Sequence, residues 1–114
     1  FGCGGNRDQS KRPLMGKIAA QFSDTQILTD DNPRDEDPAE IRAQIKAQCP
    51  NAYEVPERYA AIAKALEMTG KQDAVLIAGK GHEQYQIIKG ESMPFDDREI
   101  IKELLSQTGG KIAA

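Results

Sequence analysis

Three polar segments of this sequence carry the side chains that are best suited to chemistry. They are residues 2–11, 30–35 and 79–83. Arg7 and Arg34 supply guanidinium groups, whose planar arrays of N–H donors suit carboxylates and other anions. Glu83 supplies a carboxylate that can bind an ammonium group. The residue types therefore indicate anion binding in the first two segments and cation binding in the third.

The glycines of the first segment begin like a dinucleotide-binding fingerprint, Gly-x-Gly-x-x-Gly, but Arg7 stands where that pattern needs its third glycine. Asp30 and Asp31, at the end of the next strand, could imitate the ribose-binding acid of a dehydrogenase. Such partial matches are weak evidence, and the glycines alone fit a tight strand-to-helix turn equally well. Arg7 is more informative, because a cation on a loop near a helix N-terminus is well placed to hold an anion.

The second segment contains the most specific local pattern, Asp31-Asn32-Pro33-Arg34. Pro33 fixes its own φ and restricts Asn32, so this loop is stiff. Asn32 offers donors and an acceptor, and Arg34 offers a fork that suits a carboxylate. A solvated turn with a surface arginine would have the same composition, so composition alone does not make this loop a binding site.

The third segment follows the most apolar run of the chain. Gly79 and Gly81 let the backbone approach a ligand closely. His82, the only histidine, could be a general base, although a lone histidine is more often a structural residue. Lys80 does not complete a P-loop, because Gly81 follows it where serine or threonine is required. The chain therefore carries no triphosphate cradle of its own.

Hydrophobic periodicity indicates the elements that position these segments. Residues 25–29 and 74–78 are short apolar runs, and the second is typical of a strand buried in the centre of a parallel sheet. Apolar residues at three- and four-residue spacing predict the helices. These residues are Leu14, Ile18 and Phe22; Ile41 and Ile45; Tyr59, Ile62, Ala63 and Leu66; and Ile100, Ile101, Leu104 and Leu105.

Capping and turn residues support the same elements. Asp37 precedes Pro38 at the start of one predicted helix, and Asp96 precedes the last one, each with a glutamate three residues later. Gly90 divides residues 84–95 into the two strands of a hairpin. The alternation of strands and helices predicts an α/β fold: a Rossmann-like, doubly wound, mostly parallel sheet with helices on both faces. Ligands bind beyond the carboxyl ends of such strands, so we expect the three polar segments to converge on one rim.

Length and composition limit the class of protein. The 114 residues suffice for one domain, and 39% hydrophobic with 29% charged residues is typical of a soluble, folded one. A formal net charge of −3 gives no general attraction to nucleic acid or membranes, and no apolar run reaches the roughly 20 residues of a membrane helix. Cys3 and Cys49 are too few for a disulfide framework, which favours the cytoplasm. We expect a domain over residues 1–108, excised from a larger protein with its first strand truncated, and a frayed tail at 109–114.

Four segments, taken in order, resemble one known family. They are residues 2–8, 11–15, 30–34 and 79–86. Together they resemble the C-terminal domain of the Mur ligases that add meso-diaminopimelate to UDP-N-acetylmuramoyl-L-alanyl-D-glutamate, and the resemblance runs from Phe1 to about Leu105. It implies the third domain of a cytoplasmic, ATP- and Mg²⁺-dependent amide ligase of peptidoglycan precursor synthesis. In that family the first two domains hold the UDP-sugar and the ATP. ATP phosphorylates the D-glutamyl carboxylate, and the amine of diaminopimelate attacks the acyl phosphate.

The resemblance also implies roles for individual residues. Diaminopimelate would be bound by Arg7, Asp31, Asn32, Pro33, Arg34, Gly79 and Glu83. Asp8 and Lys11 would face the ATP, and no catalytic residue or metal ligand is implied in this domain. Arg34 would select against lysine, which lacks the second carboxylate, and lysine-adding relatives lack this arginine. The family usually has aspartate where this chain has Asn6. We expect a monomer, inactive without the other domains.

Two other classes of protein remain open from the sequence. One is a fragment of a nicotinamide-dependent oxidoreductase, which Arg7 in place of the third glycine disfavours. The other is a non-catalytic, Rossmann-like binding or interaction domain.

Overall fold

The computed structural model describes residues 1–80 and 82–108. Its helices are α1 (Lys11–Phe22), α2 (Pro38–Lys46), α3 (Arg58–Met68) and α4 (Asp97–Thr108), and its strands are β1 (Ile27–Leu28), β2 (Tyr53–Glu54), β3 (Tyr85–Ile88) and β4 (Glu91–Pro94). The predicted tail at 109–114 lies outside the described residues. None of the described helices has the length and hydropathy needed to cross a membrane.

Two small sheets form the β-structure of the described residues. β1 and β2 are parallel, with Ile27 opposite Tyr53. Phe1 lies along the other edge of β1, because its amino group donates to the Ile27 carbonyl and its carbonyl accepts from the Thr29 N–H, both at 3.0 Å. β3 and β4 form an antiparallel hairpin with Gly90 in the turn, as predicted. The parallel sheet thus directs its carboxyl ends toward the loop that follows Thr29.

The core lies between β1 and the helices beside it. Leu28 is fully buried in one cluster with Ile41 and Ile45 of α2, and Cys49 and Ala52 complete this cluster. Both α2 and α3 contact β1, whereas α1 packs on α2 and α4 packs on α3. The architecture is therefore the predicted α/β, Rossmann-like fold, with two pairs of helices around a small parallel sheet.

Two helices begin where the sequence predicts their caps. The Asp37 carboxylate accepts a hydrogen bond from the Ala39 N–H at 2.9 Å, and Pro38 occupies the first position of α2. The Asp96 carboxylate accepts likewise from the Arg98 N–H at 2.9 Å at the start of α4. Each bond satisfies an amide that has no partner within its own helix, so these residues fix where the helix starts.

The prediction of a buried central strand at residues 74–78 is wrong. The structure has no strand there, and Leu76 is 87% exposed. A strand needs a neighbour that pairs with its backbone N–H and C=O groups. In the described part of the chain no backbone–backbone hydrogen bond reaches this run, and the Ala78 carbonyl instead accepts from the Arg58 side chain at 3.2 Å. The apolar run indicated β-propensity correctly but could not show whether a partner strand was available.

The predicted helix α1 is confirmed, but its apolar residues do not face the core. Leu14, Ile18 and Phe22 are 55%, 48% and 78% exposed. α1 instead buries Arg12 and Gly16, because a Cβ on Gly16 would lie only 2.3 Å from the Ile45 carbonyl oxygen of α2. The close approach of the two backbones at Gly16 therefore decides which face turns inward, and it overrides the apolar stripe.

Candidate functional site

The first two polar segments meet through their backbones. The Gly5 N–H donates to the Asn32 carbonyl at 2.7 Å. A Cβ on Gly5 would lie 1.8 Å from the Pro33 carbonyl oxygen, so only glycine allows this approach. The prediction that these segments share one rim is confirmed for this pair.

The same contact brings the two predicted arginines together. Arg34 donates from Nη1 to the Gly5 carbonyl at 2.9 Å and to the Asn32 carbonyl at 3.4 Å. A Cβ on Gly4 would lie 2.9 Å from Arg34 Nη1 and 3.6 Å from Arg7 Cγ, so both side chains border the same glycine. Arg7 is exposed and Arg34 half-buried. The two arginine side chains therefore start from the same edge of the loop, and the Arg7 guanidinium there donates to the Asn6 carbonyl at 3.1 Å. Guanidinium groups suit an anion with more than one oxygen.

The backbone of Arg34 is held by the hairpin. The Arg34 N–H donates to the Ile87 carbonyl at 3.1 Å, and the Arg34 carbonyl accepts from the Lys89 N–H at 2.8 Å. Arg34 has a φ of 53°, a left-handed conformation that is uncommon for a residue other than glycine. These two bonds hold the residue in that conformation and so fix where its side chain leaves the backbone.

The third segment joins the site through Lys80, whose position the sequence did not indicate. The Lys80 ammonium is buried and lies 3.1 Å from Asp31 Oδ1. It donates to Asn32 Oδ1 at 3.1 Å and to the Tyr85 carbonyl at 2.9 Å. The contact with Asp31 is close enough for an ion pair but lacks hydrogen-bond geometry, since Asp31 Oδ1 has no directed partner in the described residues. No local pattern could have revealed a contact between residues 48 positions apart.

The amide of Asn32 has a defined orientation. Its Oδ1 accepts from Lys80 Nζ and, at 2.9 Å, from the Ile87 N–H. The amide nitrogen donates no hydrogen bond within the described residues, so it is the end that a ligand could meet. Because that nitrogen is a donor, Asn32 suits a ligand carboxylate rather than an ammonium group.

Gly79 and Glu83 flank Lys80 in the third segment. Gly79 has a φ of 114°, which favours glycine, and a Cβ there would lie 3.6 Å from Asp31 Oδ2. The Glu83 N–H donates to the Lys80 carbonyl at 3.0 Å. The Glu83 side chain is half-buried and pairs with no group in the described residues. His82 is exposed, and Gly81 lies outside the described residues.

The residues predicted to face ATP lie at the start of α1. Asp8 Oδ1 accepts from the Ser10 hydroxyl at 2.7 Å and from the Ser10 N–H at 2.9 Å, and these hydrogen bonds lower the pKa of Asp8. Lys11 is the exposed first residue of the helix. The described residues contain no group of three histidine, cysteine, aspartate or glutamate side chains able to hold a metal ion. The ATP-facing role of Asp8 and Lys11 stays a prediction.

An ion pair between the buried Arg12 and the half-buried Glu36 supports the first segment. Arg12 donates to both carboxylate oxygens of Glu36, at 3.1 and 2.8 Å, and to the Gly4 carbonyl at 3.0 Å. Glu36 also accepts from the Asn6 N–H, while the Asn6 amide donates to Asp35 Oδ2 at 3.1 Å. The Arg12 hydrogen bond, followed by that from Asn6, lowers the pKa of Glu36. Asparagine at position 6 thus suits its neighbour, because an aspartate there would face the carboxylate of Asp35.

A cavity of about 250 Å³ lies beside the site rather than within it. Asp30, Pro56, Glu57, Arg58, Gln86 and Ile88 line it. Burial raises the pKa of Asp30, although its bond to Arg42 acts in the opposite direction. None of the predicted ligand-binding residues lines this cavity.

Comparisons with known proteins identify the family of this chain. Residues 1–81 match the family described as Mur ligase, glutamate ligase domain. A relative from Caldanaerobacter subterraneus subsp. tengcongensis, named UDP-N-acetylmuramoyl-L-alanyl-D-glutamate--2,6-diaminopimelate ligase, is 51% identical over 113 residues, covering 95% of this chain and 23% of that protein. A relative of the same name from Rickettsia felis is 52% identical over 111 residues, covering 96% of this chain and 21% of that protein.

A solved structure of a ligase with that name is similar in fold. It has a TM-score of 0.88 and 40% identity, and the match covers 97% of this chain and 24% of the other. The chain thus spans about a quarter of the length of the proteins it matches. The family match covers well over half of the chain, and the two relatives are about 50% identical to it. This chain therefore belongs to the Mur ligase family and corresponds to its glutamate ligase domain.

Proposed function

We propose that this chain is the amino-acid-binding domain of a ligase that joins meso-diaminopimelate to UDP-N-acetylmuramoyl-L-alanyl-D-glutamate. The observation that carries the proposal is the meeting of Arg7 and Arg34 at Gly4, on a rim that also holds Asp31. The relatives named above support the choice of substrates. Membership of a ligase family favours this function over a nicotinamide-dependent oxidoreductase or a non-catalytic binding domain.

The charges on the rim match the chemistry of this amino acid. Diaminopimelate carries an ammonium group and a carboxylate at each end, whereas lysine has only an ammonium group at its far end. Arg34 and the Asn32 amide would take the far carboxylate, and Glu83 with Asp31 would take the neighbouring ammonium. Lysine would leave Arg34 without its anion in a half-buried place, which costs on the order of 1–3 kcal/mol.

ATP and Mg²⁺ would act elsewhere in the proposed ligase. The chain has neither a triphosphate cradle in its sequence nor, in its described residues, a cluster of metal ligands. Its own residues would hold the amino acid so that the amine meets the activated D-glutamyl carboxylate, which lowers the entropic part of the barrier. The domain would have to approach the ATP-bearing part of the enzyme for each turnover. A cytoplasmic, monomeric enzyme remains part of this proposal.

The test measures ADP release by the complete ligase with the UDP-linked dipeptide and either meso-diaminopimelate or lysine. We expect kcat/KM for diaminopimelate to exceed that for lysine by about tenfold or more, as the loss of one charged interaction requires. The 114-residue chain alone should release no ADP. Equal kcat/KM values for the two amino acids would contradict the proposed selection of diaminopimelate. ADP release by the isolated chain would contradict the proposal that ATP binds elsewhere in the ligase.

A further inference from the structure

Lys80 lies buried where the second and third polar segments meet β3. Its side chain has 0% relative exposure. Three oxygens surround Nζ: Asn32 Oδ1 at 3.1 Å, the Tyr85 carbonyl at 2.9 Å and Asp31 Oδ1 at 3.1 Å. Two of these oxygens accept hydrogen bonds from the ammonium group, and the Asp31 carboxylate compensates its charge as an ion pair.

This burial excludes direct contact between Lys80 and a ligand. An ammonium group is stable out of water only when charged and polar partners compensate it. Here the partners come from the loop after β1 and from the start of β3, which are distant in sequence. Lys80 therefore ties these two elements together from beneath the rim.

We propose that Lys80 is a positioning residue that holds Asp31 and Asn32 in their binding geometry, and so sets the affinity for the amino acid without touching it. The inference rests on the proposed function. Lys80 occupies Asn32 Oδ1, which leaves the amide nitrogen toward the ligand. Its charge also offsets that of Asp31. Without Lys80 the side-chain amide of Asn32 could flip, and the partly buried carboxylate of Asp31 would lose the cation that compensates its charge.

The test compares the wild-type complete ligase with the variants Lys80→Met and Lys80→Arg. Methionine keeps the length of the side chain and removes its charge, whereas arginine keeps the charge but spreads its donors over a planar fork. We expect both variants to raise the KM for meso-diaminopimelate by about tenfold or more and to leave the KM for ATP within about twofold. Ile45→Val in the core of α2 is the control for a general loss of stability and should leave both KM values unchanged.

A double-mutant cycle separates positioning from a merely structural role. If Lys80 acts through Asn32, adding Lys80→Arg to Asn32→Ala raises the KM for diaminopimelate far less than Lys80→Arg does alone. Three results would overturn this inference and leave the proposed function intact. They are additive effects of the two substitutions, an equal rise in both KM values, and an unchanged KM for diaminopimelate in Lys80→Arg. If Lys80→Met does not fold, Lys80→Arg decides the question. A wild-type ligase that does not use diaminopimelate refutes the proposed function and this inference together.

Discussion

Arg34 donates from Nη1 to the carbonyl of Gly5, which lies 29 residues earlier in the chain, at 2.9 Å. The Arg34 side chain, which would select the substrate, therefore also links the loop after β1 to the loop before α1. One terminal nitrogen is occupied by backbone, which restricts the rotation of the guanidinium group. The rest of its planar edge keeps a fixed direction, and a fixed donor loses less entropy when it binds a carboxylate.

Arg34→Ala in the complete ligase should weaken the use of diaminopimelate much more than the use of ATP. The variant removes the proposed partner of the far carboxylate, so we expect the KM for diaminopimelate to rise by about tenfold or more. Steady-state kinetics with each substrate varied in turn would measure both effects. Arg98→Ala, an exposed arginine on α4, is the control and should change neither constant. Unchanged amino-acid kinetics in Arg34→Ala would remove this residue from the site.

Glu83→Gln should raise the KM for diaminopimelate by weakening the contact with an ammonium group. Glutamine has nearly the same shape and lacks the charge, and a hydrogen bond to a charged group is worth about 1.5–3 kcal/mol. The same kinetic assay measures the effect. Glu103→Gln, on the exposed surface of α4, is the matched control. If the two variants give the same KM, Glu83 does not bind the amine.

Local signals in the sequence predicted the parts of the fold that depend on neighbouring residues. Asp37 and Asp96 cap their helices, and Gly90 turns the hairpin, because caps and turns are determined within a few residues. Lys80 was not predicted to be buried, since its partners lie at the far end of another loop. The strand predicted at residues 74–78 is absent for a related reason, because the apolar character of a segment does not show whether a neighbouring strand is available to pair with it.

The meeting of the first two segments could be predicted because Phe1 lies beside β1, so both segments leave the sheet at the same edge. The third segment follows no strand and joins the site through the Lys80 side chain instead. The close contacts between the first two polar segments could not be predicted. The contact of Gly5 with Pro33 and the inward turn of Arg12 depend on packing between distant backbones. The binding roles of Arg7 and Glu83 came from the family resemblance and stay predictions until they are measured.

Gly5→Ala should destabilise the domain and separate its first two loops. The added methyl group would lie 1.8 Å from the Pro33 carbonyl oxygen, and a backbone atom cannot move aside as a side-chain end can. We expect a loss of about 1–3 kcal/mol in the free energy of unfolding, measured by urea denaturation. The control is Gly70→Ala, where the nearest atom is Asp73 Oδ2, the end of a side chain, at 3.3 Å. Equal stability of the two variants would show that the loops are not in contact.

The ion pair of Glu36 with Arg12 should make stability depend on pH on the acid side. Hydrogen bonds from Arg12, then from Asn6, lower the pKa of Glu36, so the folded state holds its proton less tightly than the unfolded chain does. The resulting stabilisation is complete above the ordinary glutamate pKa of about 4.3 and is lost as the pH falls through the lower folded value.

Glu36→Gln removes this titration while keeping the shape of the side chain. The difference in unfolding free energy between wild type and Glu36→Gln should therefore be largest near neutral pH and should shrink as the pH falls below about 4. Urea denaturation at a series of pH values measures it. The control is Gln44→Leu, which removes a neutral partner of Arg12, since Arg12 donates to Gln44 Oε1 at 3.0 Å. This substitution removes no titrating group, so the unfolding free energy that it costs should not vary with pH in this way. A difference for Glu36→Gln that stays constant as the pH falls would mean that the Glu36 carboxylate gains nothing from Arg12 in the folded protein.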